Sequence, residues 1–209
     1  MKTTCGFIAI VGRPNVGKSS ILNRILGQKV AIVSDKPQTT RTKITGIYTK
    51  DELQLVFIDT PGLHKPHNAL GIQMVKAVYD GMADVDCCLL VAEANQKIAP
   101  AERELCEKFK KRRLPAVLAL NKIDLLSDKS ALLAVIQAYS ELYDFDAIIP
   151  VCATTGDGVD VLLQQLSSYA VESVHYFDDN ALTDQPERVL AAEMIREKLR
   201  RLLDKEVPH

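Results

Sequence analysis

One glycine-rich segment limits the possible folds of this chain more than any other feature. It lies between a short apolar run, typical of a buried strand, and an amphipathic run, typical of a helix. We assign the following residues to a nucleotide-binding loop: Gly12, Arg13, Pro14, Asn15, Val16, Gly17, Lys18, Ser19 and Ser20. The loop matches the pattern GxxxxGK(S/T), in which backbone N–H groups and the start of a helix surround phosphate oxygens. In this pattern Lys18 reaches the β- and γ-phosphates, and the Ser19 hydroxyl is a ligand of Mg²⁺.

A second motif, at the end of a predicted strand, indicates which base is bound. Asn121, Lys122 and Asp124 follow the apolar run Ala116–Leu120. Guanine presents two adjacent donors, its ring N1–H and its exocyclic amine, and the carboxylate of Asp124 can accept both. Adenine would leave that carboxylate desolvated and unpaired, so the motif favours GTP over ATP by up to roughly 10⁴-fold. We expect Lys122 to lie along the base plane and Asn121 to bridge to the phosphate loop.

A third segment follows the next predicted strand and consists of Cys152, Ala153 and Thr154. Its residue types are uninformative alone, but ligands of parallel sheets bind where the strands end. Its position therefore predicts that a backbone N–H, that of Ala153, contacts the guanine oxygen.

Two further segments are placed to respond to the terminal phosphate. The predicted strand Gln54–Asp59 leads into four assigned site residues: Asp59, Thr60, Pro61 and Gly62. Asp59 would hold Mg²⁺ through water, and Gly62 would offer its N–H to the γ-phosphate. In the polar loop 37–41 a threonine would complete the Mg²⁺ shell; we assign Thr40, with Thr39 as the alternative. Both segments should order with GTP and loosen after hydrolysis. The predicted catalytic residues are Lys18, Thr40 and Gly62.

Residue 63 bears on the rate of hydrolysis. Many Ras-like enzymes have glutamine directly after the glycine of this motif, where it orients the attacking water. Leu63 occupies that position here and cannot orient water. We expect slow intrinsic turnover, with the water positioned by the backbone, a cation or a partner. His64 is a candidate base, although a surface histidine in a loop is the simpler interpretation.

Strand-length apolar runs alternate with amphipathic segments along most of the chain, which predicts an α/β fold with a mostly parallel sheet flanked by helices. Two strands are predicted at Lys43–Thr49 and Gln54–Asp59, and a helix is predicted over Val159–Val171. Residues 175–183 are polar and are interpreted as part of a linker. A capped amphipathic helix then begins near Pro186, with one apolar stripe: Val189, Ala192, Ile195, Leu199, Leu202 and Leu203.

Composition narrows the class of protein. The formal net charge is −1, so any RNA partner must be recognised by a local patch rather than by overall charge. No apolar run approaches the roughly 18 residues that span a bilayer, and the N-terminus does not resemble a signal peptide. The odd number of cysteines, without CxxC spacing, favours reduced and buried thiols. We expect a cytoplasmic protein.

The chain resembles the Era family of bacterial GTPases over its whole length. The resemblance is carried by five stretches: Cys5–Ser19, Leu26–Lys29, Gln38–Arg41, Asp59–His64 and Ile195–Leu199. The loop Gln38–Arg41 and the helix around Ile195 distinguish this family from its relatives better than the phosphate loop does.

The resemblance implies a Ras-like P-loop GTPase domain followed by a K-homology RNA-binding domain. It implies a role in maturing the small ribosomal subunit through the 3′ end of 16S rRNA, and a full-length protein that is a monomer. Peripheral association with the inner face of the cell membrane is typical of the family. In the wider class, asparagine at the position of Asn15 accompanies potassium-assisted hydrolysis, and we carry K⁺ at Asn15 as a hypothesis beside Mg²⁺.

The resemblance also divides the chain. We expect a GTPase domain over residues 1–173, a linker over 174–185 and, over 186–209, the first helix of a K-homology domain. That domain needs a GxxG loop and roughly 70 residues, so we expect it to be incomplete here. The family often has Ser-Ala-Glu where this chain has Cys152–Thr154, a change that the backbone contact should survive.

Three other functions use the same loop. An ATP-dependent kinase or motor is disfavoured by Asp124. A GTP-gated binding module with negligible turnover would lack phosphate release. A related GTPase could act in tRNA modification or in another step of ribosome assembly, although the loop Gln38–Arg41 and the helix Pro186–Leu203 favour the Era type.

Overall fold

A computed structural model gives the structure of the chain and describes residues 2–33, 44–63, 69–126 and 128–202. In these ranges the strands are Thr4–Val11 (β1), Ile44–Lys50 (β2), Leu53–Asp59 (β3), Cys87–Glu93 (β4), Ala116–Asn121 (β5), Ala147–Pro150 (β6) and Val171–Glu172 (β7). The helices are Lys18–Leu26 (α1), Ala69–Gly81 (α2), Pro100–Arg112 (α3), Lys129–Leu142 (α4), Val159–Ser167 (α5) and Glu187–Leu202 (α6). A short 3₁₀ helix spans Ile123–Leu125.

The strands form one sheet in the order β2-β3-β1-β4-β5-β6. All neighbouring pairs from β3 to β6 are parallel, and β2 is antiparallel to β3. Because the parallel strands all end at the same edge, the segments that follow β1, β3, β5 and β6 are brought together there. The predicted α/β fold with a mostly parallel sheet is confirmed.

One predicted helix is too long. The sequence predicts Val159–Val171, but α5 ends at Ser167 and Val171 lies in β7. There the chain pairs antiparallel with the start of β1, with Val171 opposite Cys5 and Glu172 opposite Thr4. The apolar residues near 170 continue the helical spacing of α5, so the pattern alone could not show that β1 would pair with them.

The sheet separates two apolar clusters, and alternation along each strand decides which cluster a residue joins. Ile8 and Ile10 face the cluster that α1 and α5 cover, whereas Ala9 and Val11 face the one covered by α3 and α4. Two aromatic side chains of the second cluster, Phe109 and Tyr139, are fully buried. The sheet that carries the loops is thus packed on both faces.

Residues 173–185, which we call the strap, run across β2 and β3. The side chain of Gln54 is fully buried and bonds the strap: its Oε1 accepts from the N–H groups of Tyr176 (2.9 Å) and Phe177 (3.1 Å). Its Nε2 donates to Phe177 O (3.0 Å) and Thr49 Oγ1 (3.1 Å). The backbone N–H of Ile47 donates to Leu182 O at 2.9 Å. The segment predicted as a linker therefore lies hydrogen-bonded against the sheet.

The helix α6 follows the strap and begins at Glu187, directly after the proline that the sequence places at its start. Its apolar residues Val189, Ile195 and Leu199 are exposed. The side chain of Leu202 and all of Leu203, which belong to the same predicted stripe, lie outside what the structure describes. No helix in the described part of the chain is both long and apolar enough to cross a membrane.

Candidate functional site

A cavity of about 480 Å³ opens at the edge where the parallel strands end. Residues from four of the predicted segments line it: Pro14, Asn15, Gly17, Lys18, Ser19, Ser20, Gly62, Asn121, Lys122, Asp124, Cys152, Ala153 and Thr154. Ile32, Val33 and Leu125 also line it, and the sequence did not single them out. The structure thus brings together motifs that lie more than a hundred residues apart in the chain.

The phosphate loop joins β1 to α1 and points its backbone into this cavity. Lys18 is the first residue of α1 and is buried; its Nζ donates to the carbonyl oxygens of Gly12 (3.3 Å) and Arg13 (2.9 Å). Burial lowers the pKa of Lys18 to about 8, against the opposing effect of nearby Asp59. A buried ammonium group whose hydrogen-bond partners in the described part of the chain are carbonyl oxygens is suited to receive an anion.

Two glycines allow close approach of other segments to the phosphate loop. A Cβ at Gly17, where φ is +102°, would stand 2.1 Å from Asn121 Nδ2. A Cβ at Gly62 would stand 2.5 Å from the backbone nitrogen of Pro14. Any side chain at either position would therefore push the base motif or the 60–63 segment away from the phosphate loop.

Asp59 and Ser19 form the part of the site that is suited to a metal ion. Asp59 is fully buried, and its Oδ2 accepts a 2.7 Å hydrogen bond from Ser19 Oγ. Among the described residues its other oxygen, Oδ1, has no hydrogen-bond partner although it is buried. Burial raises the pKa of Asp59 to about 6, with Lys18 and Ser19 opposing the rise. A buried carboxylate oxygen without a donor, beside a hydroxyl, fits the oxygen ligands that Mg²⁺ prefers.

Asn121 links the loops around the cavity. Its Nδ2 donates to Val16 O (2.8 Å), which is the bridge to the phosphate loop that the sequence predicts. Its Oδ1 accepts from the backbone N–H of Ala153 (3.1 Å). That N–H was expected to contact guanine, so in this structure a base oxygen would have to share the donor with Asn121.

The carboxylate of Asp124 is held by a side chain that sequence reasoning missed. Cys152 Sγ lies 3.1 Å from Asp124 Oδ1, to which its thiol donates, and 3.0 Å from Thr154 Oγ1. The sequence assigned only a backbone contact to this segment. The sequence did contain a signal for this contact: the family often has serine at position 152, and a serine hydroxyl and a cysteine thiol can both donate to a carboxylate.

Two buried acids on other elements hold the cations of the motifs. Lys122 pairs with Glu93, which ends β4 and is buried. Arg13 Nε donates to Glu102 Oε1 on α3 (2.8 Å), and Glu102 Oε2 also accepts from the N–H of Ala99 at the start of that helix. The Arg13 side chain therefore points to α3, and only its backbone is placed to face phosphate.

Leu63 is buried in the apolar cluster that α3 and α4 cover, and its N–H donates to Gly12 O at 3.0 Å. The position that carries glutamine in many related enzymes thus points into the core here. Val16, Thr60 and Pro61 are also buried, and Thr60 Oγ1 donates to Ile10 O (2.8 Å). Thr39, Thr40 and His64 lie outside the described residues.

The cysteines are free and buried, as the sequence predicts. Burial raises the pKa of Cys87, Cys88 and Cys106 to about 12, which keeps these thiols protonated and unreactive.

A fold with a phosphate loop and an Asn-Lys-x-Asp motif at one sheet edge is typical of P-loop GTPases, and comparison with known proteins agrees. A family model described as "50S ribosome-binding GTPase" matches residues 7–122. GTPase Era of Ruminiclostridium cellulolyticum is 49% identical over 209 residues, which are all of this chain and 70% of that protein. GTPase Era of Clostridioides difficile is 47% identical, with 98% of this chain and 69% of that protein covered. The chain belongs to the Era family of GTPases, and it binds and hydrolyses GTP.

Solved structures agree with this assignment. A crystal structure of Era in complex with MgGDPNP and nucleotides 1506–1542 of 16S ribosomal RNA matches with a TM-score of 0.92 and 35% identity, over 99% of this chain and 70% of that one. An Era variant of Aquifex aeolicus bound to GDP and AlF4⁻ matches with a TM-score of 0.92 and 36% identity, over 100% of this chain and 70% of that one.

Proposed function

We propose that this GTPase acts in maturation of the small ribosomal subunit, at the 3′ end of 16S rRNA, with nucleotide bound in the cavity at the sheet edge. The observation that carries the nucleotide site is the position of Asp124, which Cys152 holds at the wall of the cavity that the phosphate loop also lines. The RNA proposal is supported by the structural likeness to an Era protein that was crystallised with 16S rRNA nucleotides.

In this proposal Asp124 accepts the two donors of guanine, and the alkyl stem of Lys122 lies along the base. The ion pair with Glu93 fixes the end of the Lys122 side chain and leaves its stem beside the cavity. The thiol of Cys152 occupies one direction of Asp124 Oδ1, so that the carboxylate cannot turn away from the base. Specificity for guanine then follows, since another base would leave the carboxylate without donors.

The phosphates would bind the loop N–H groups and Lys18, which would exchange its contacts to Gly12 and Arg13 for phosphate oxygens. Ser19 and Asp59 would hold Mg²⁺, Asp59 through water, and Thr40 would complete the shell with GTP bound. When bound, Mg²⁺ supplies charge neutralisation of the phosphate oxygens. Gly62 would donate its N–H to the γ-phosphate, a role that its close approach to Pro14 makes reachable only for glycine.

We propose slow intrinsic hydrolysis. Leu63 is buried and presents no polar group to a water molecule, so the backbone, a cation or a partner would position the water. K⁺ bound beside Asn15 is the candidate cation, because Leu63 replaces the usual glutamine and Asn15 lines the cavity beside the phosphate loop. Phosphate release should be several-fold faster in potassium than in sodium buffer, and equal rates in the two salts would rule potassium out.

The partners and location are also proposals. We propose that helix α6 begins the K-homology RNA-binding domain, with the boundaries 1–173, 174–185 and 186–209. The protein would be cytoplasmic, with peripheral association at the inner face of the membrane. A full-length protein of this type would be a monomer. The exposed apolar residues of α6, among them Ile195, support a further domain packing there.

Depletion of the protein in its own cells tests the ribosomal role. We expect unprocessed 16S rRNA and incomplete small subunits to accumulate, and expect the unaltered gene, but not a Lys18→Ala gene, to restore maturation. A defect confined to the large subunit would instead favour a related GTPase that acts in another step of ribosome assembly, which the description of the matching family model suggests. A defect confined to tRNA modification would exclude both.

A further inference from the structure

Helix α6 reverses the usual relation between polarity and burial. Its apolar residues Met194, Ile195 and Leu199 are exposed, whereas Glu197 has 1% of its surface accessible. Carboxylates are among the side chains least often buried, and a buried one is retained only when it is paired and hydrogen-bonded. What Glu197 contacts therefore shows why the helix packs with this face inward.

Glu197 reaches a loop that lies more than 160 residues earlier in the chain. Its Oε1 accepts from Lys29 Nζ at 2.7 Å, and its Oε2 accepts from the backbone N–H of Val33 at 3.3 Å. Lys29 is half-exposed, so the pair joins one buried charge to one at the surface. The carboxylate thus holds both ends of the segment 29–33.

That segment forms part of the wall of the nucleotide cavity. Ile32 and Val33 line the cavity together with Asn121, Lys122 and Asp124 of the base motif. A second anchor of the segment among the described residues is Asn23 on α1. Its Oδ1 accepts from the N–H groups of Val30 (3.0 Å) and Ala31 (2.9 Å), and its Nδ2 donates to Ala31 O (2.7 Å). One anchor therefore belongs to the helix of the phosphate loop, and the other belongs to α6.

We propose that Glu197 is a positioning residue for nucleotide binding, which holds Val33 at the cavity wall and so makes the residence time of GDP and GTP depend on the seating of α6. The inference rests on guanine-nucleotide binding and not on the ribosomal role. Because linkage is reciprocal, bound nucleotide also stabilises α6 in its seat. Whatever later moves α6 would then change nucleotide exchange.

The test measures dissociation of a fluorescent GDP analogue from the protein. Glu197→Gln keeps the size of the side chain but loses the charge that binds Lys29, and it offers the Val33 N–H only a weaker, neutral acceptor. We expect it to raise the dissociation rate roughly 5-fold or more, since coupled sites change affinity by at least about that factor and such changes appear mostly in dissociation. Lys29→Gln should also raise it, and the double variant should be no faster than Glu197→Gln alone, because both changes remove one interaction.

Glu193→Gln is the matched control, since Glu193 pairs with Arg196 within the same helix. It should leave the dissociation rate unchanged. Hydrogen exchange separates positioning from general loosening: in Glu197→Gln the Val33 amide should exchange faster, while amides of β1 keep their protection. If Glu197→Gln does not fold, the same two quantities, the dissociation rate and the exchange of the Val33 amide, are measured for Lys29→Gln instead. An unchanged dissociation rate in the folded variants, or equal acceleration by Glu193→Gln, would overturn the proposal.

Discussion

Two regions of this molecule bury polar side chains, and they do so in opposite ways. At the nucleotide cavity, Asp59 leaves one buried oxygen without a hydrogen-bond partner in the described structure, and buried Lys18 is held by carbonyls only. Beneath the strap, both polar atoms of Gln54 are fully used by partners on the strap and in β2. An incompletely satisfied buried group indicates a place prepared for a ligand, whereas a satisfied one indicates a structural contact.

The largest expected effect of a single change is on the ligand side of this comparison. Lys18→Ala should weaken GTP binding by about 3 kcal/mol or more, because it removes charge-assisted hydrogen bonds to phosphate. The unfolding midpoint of the nucleotide-free protein should not fall, since burial of that ammonium is itself unfavourable. Equilibrium titration with a fluorescent GTP analogue measures the affinity, and thermal unfolding measures the midpoint.

Lys110→Ala is the control, because Lys110 forms a surface pair with Glu107 on α3. It should leave both measurements unchanged. A Lys18→Ala protein that unfolds at much lower temperature while binding GTP normally would reverse the comparison and contradict the account.

Gln54→Leu tests the structural side. The change leaves the buried N–H groups of Tyr176 and Phe177 without their acceptor, so the free energy of unfolding should fall by about 2 kcal/mol or more. GTP affinity should remain within about twofold, since Gln54 does not line the cavity. Denaturant unfolding measures the first quantity, and nucleotide titration the second.

Gln137→Leu is a suitable reference, because Gln137 lies exposed on α4 and bonds only its neighbour Glu141 among the contacts described. It should change neither quantity. If Gln54→Leu weakened GTP binding as strongly as it weakened folding, the strap would have to be treated as part of the site.

The smallest expected effect is a pH dependence of the strap. His175 Nδ1 lies 2.7 Å from Asp179 Oδ1, and its Nε2 lies 3.0 Å from Glu52 O, so only the doubly protonated ring donates to both. The hydrogen bonds to Asp179 and Glu52 raise the pKa of His175 above its ordinary 6.5. The folded state thus binds this proton more tightly than the unfolded state does.

The contribution of His175 to stability is consequently complete below pH 6.5 and is lost as the pH rises through the higher folded pKa. The difference in unfolding midpoint between the unaltered protein and His175→Gln should be greatest in acid and shrink as the pH rises above the folded pKa of His175. A difference that stays constant with pH would show that protonation of His175 plays no part.

The sequence was sufficient for the fold class and for the motifs because each motif is local. The phosphate loop lies directly between one strand and one helix, and the base motif directly follows the apolar run Ala116–Leu120. Parallel strands then bring such motifs to one edge, whatever their separation in the chain.

The remaining contacts join residues whose pairing no local pattern encodes. Gln54 meets Tyr176 across 122 positions, and Glu197 meets Val33 across 164. The polar composition of residues 175–183 suggests a linker. Their packing against the sheet depends on hydrogen bonds to the buried amide of Gln54, and such bonds produce no periodic pattern in the sequence. The pattern at residues 152–154 indicates a backbone contact only, so it does not predict the contact between the Cys152 thiol and Asp124. Tertiary pairing with β1, likewise, ended α5 earlier than its apolar spacing predicts.

The central claim is that Asp124 reads guanine in the cavity at the sheet edge, and exchanging one atom of that side chain tests it most directly. Xanthine has a carbonyl oxygen where guanine has its exocyclic amine, so the amide of Asp124→Asn can donate to xanthine but opposes guanine. Competition between GTP and XTP for the two proteins is the measurement. We expect the unaltered protein to prefer GTP and Asp124→Asn to lose GTP affinity by about 100-fold or more while gaining affinity for XTP. An Asp124→Asn protein that still binds GTP as tightly, and still rejects XTP, would contradict the account.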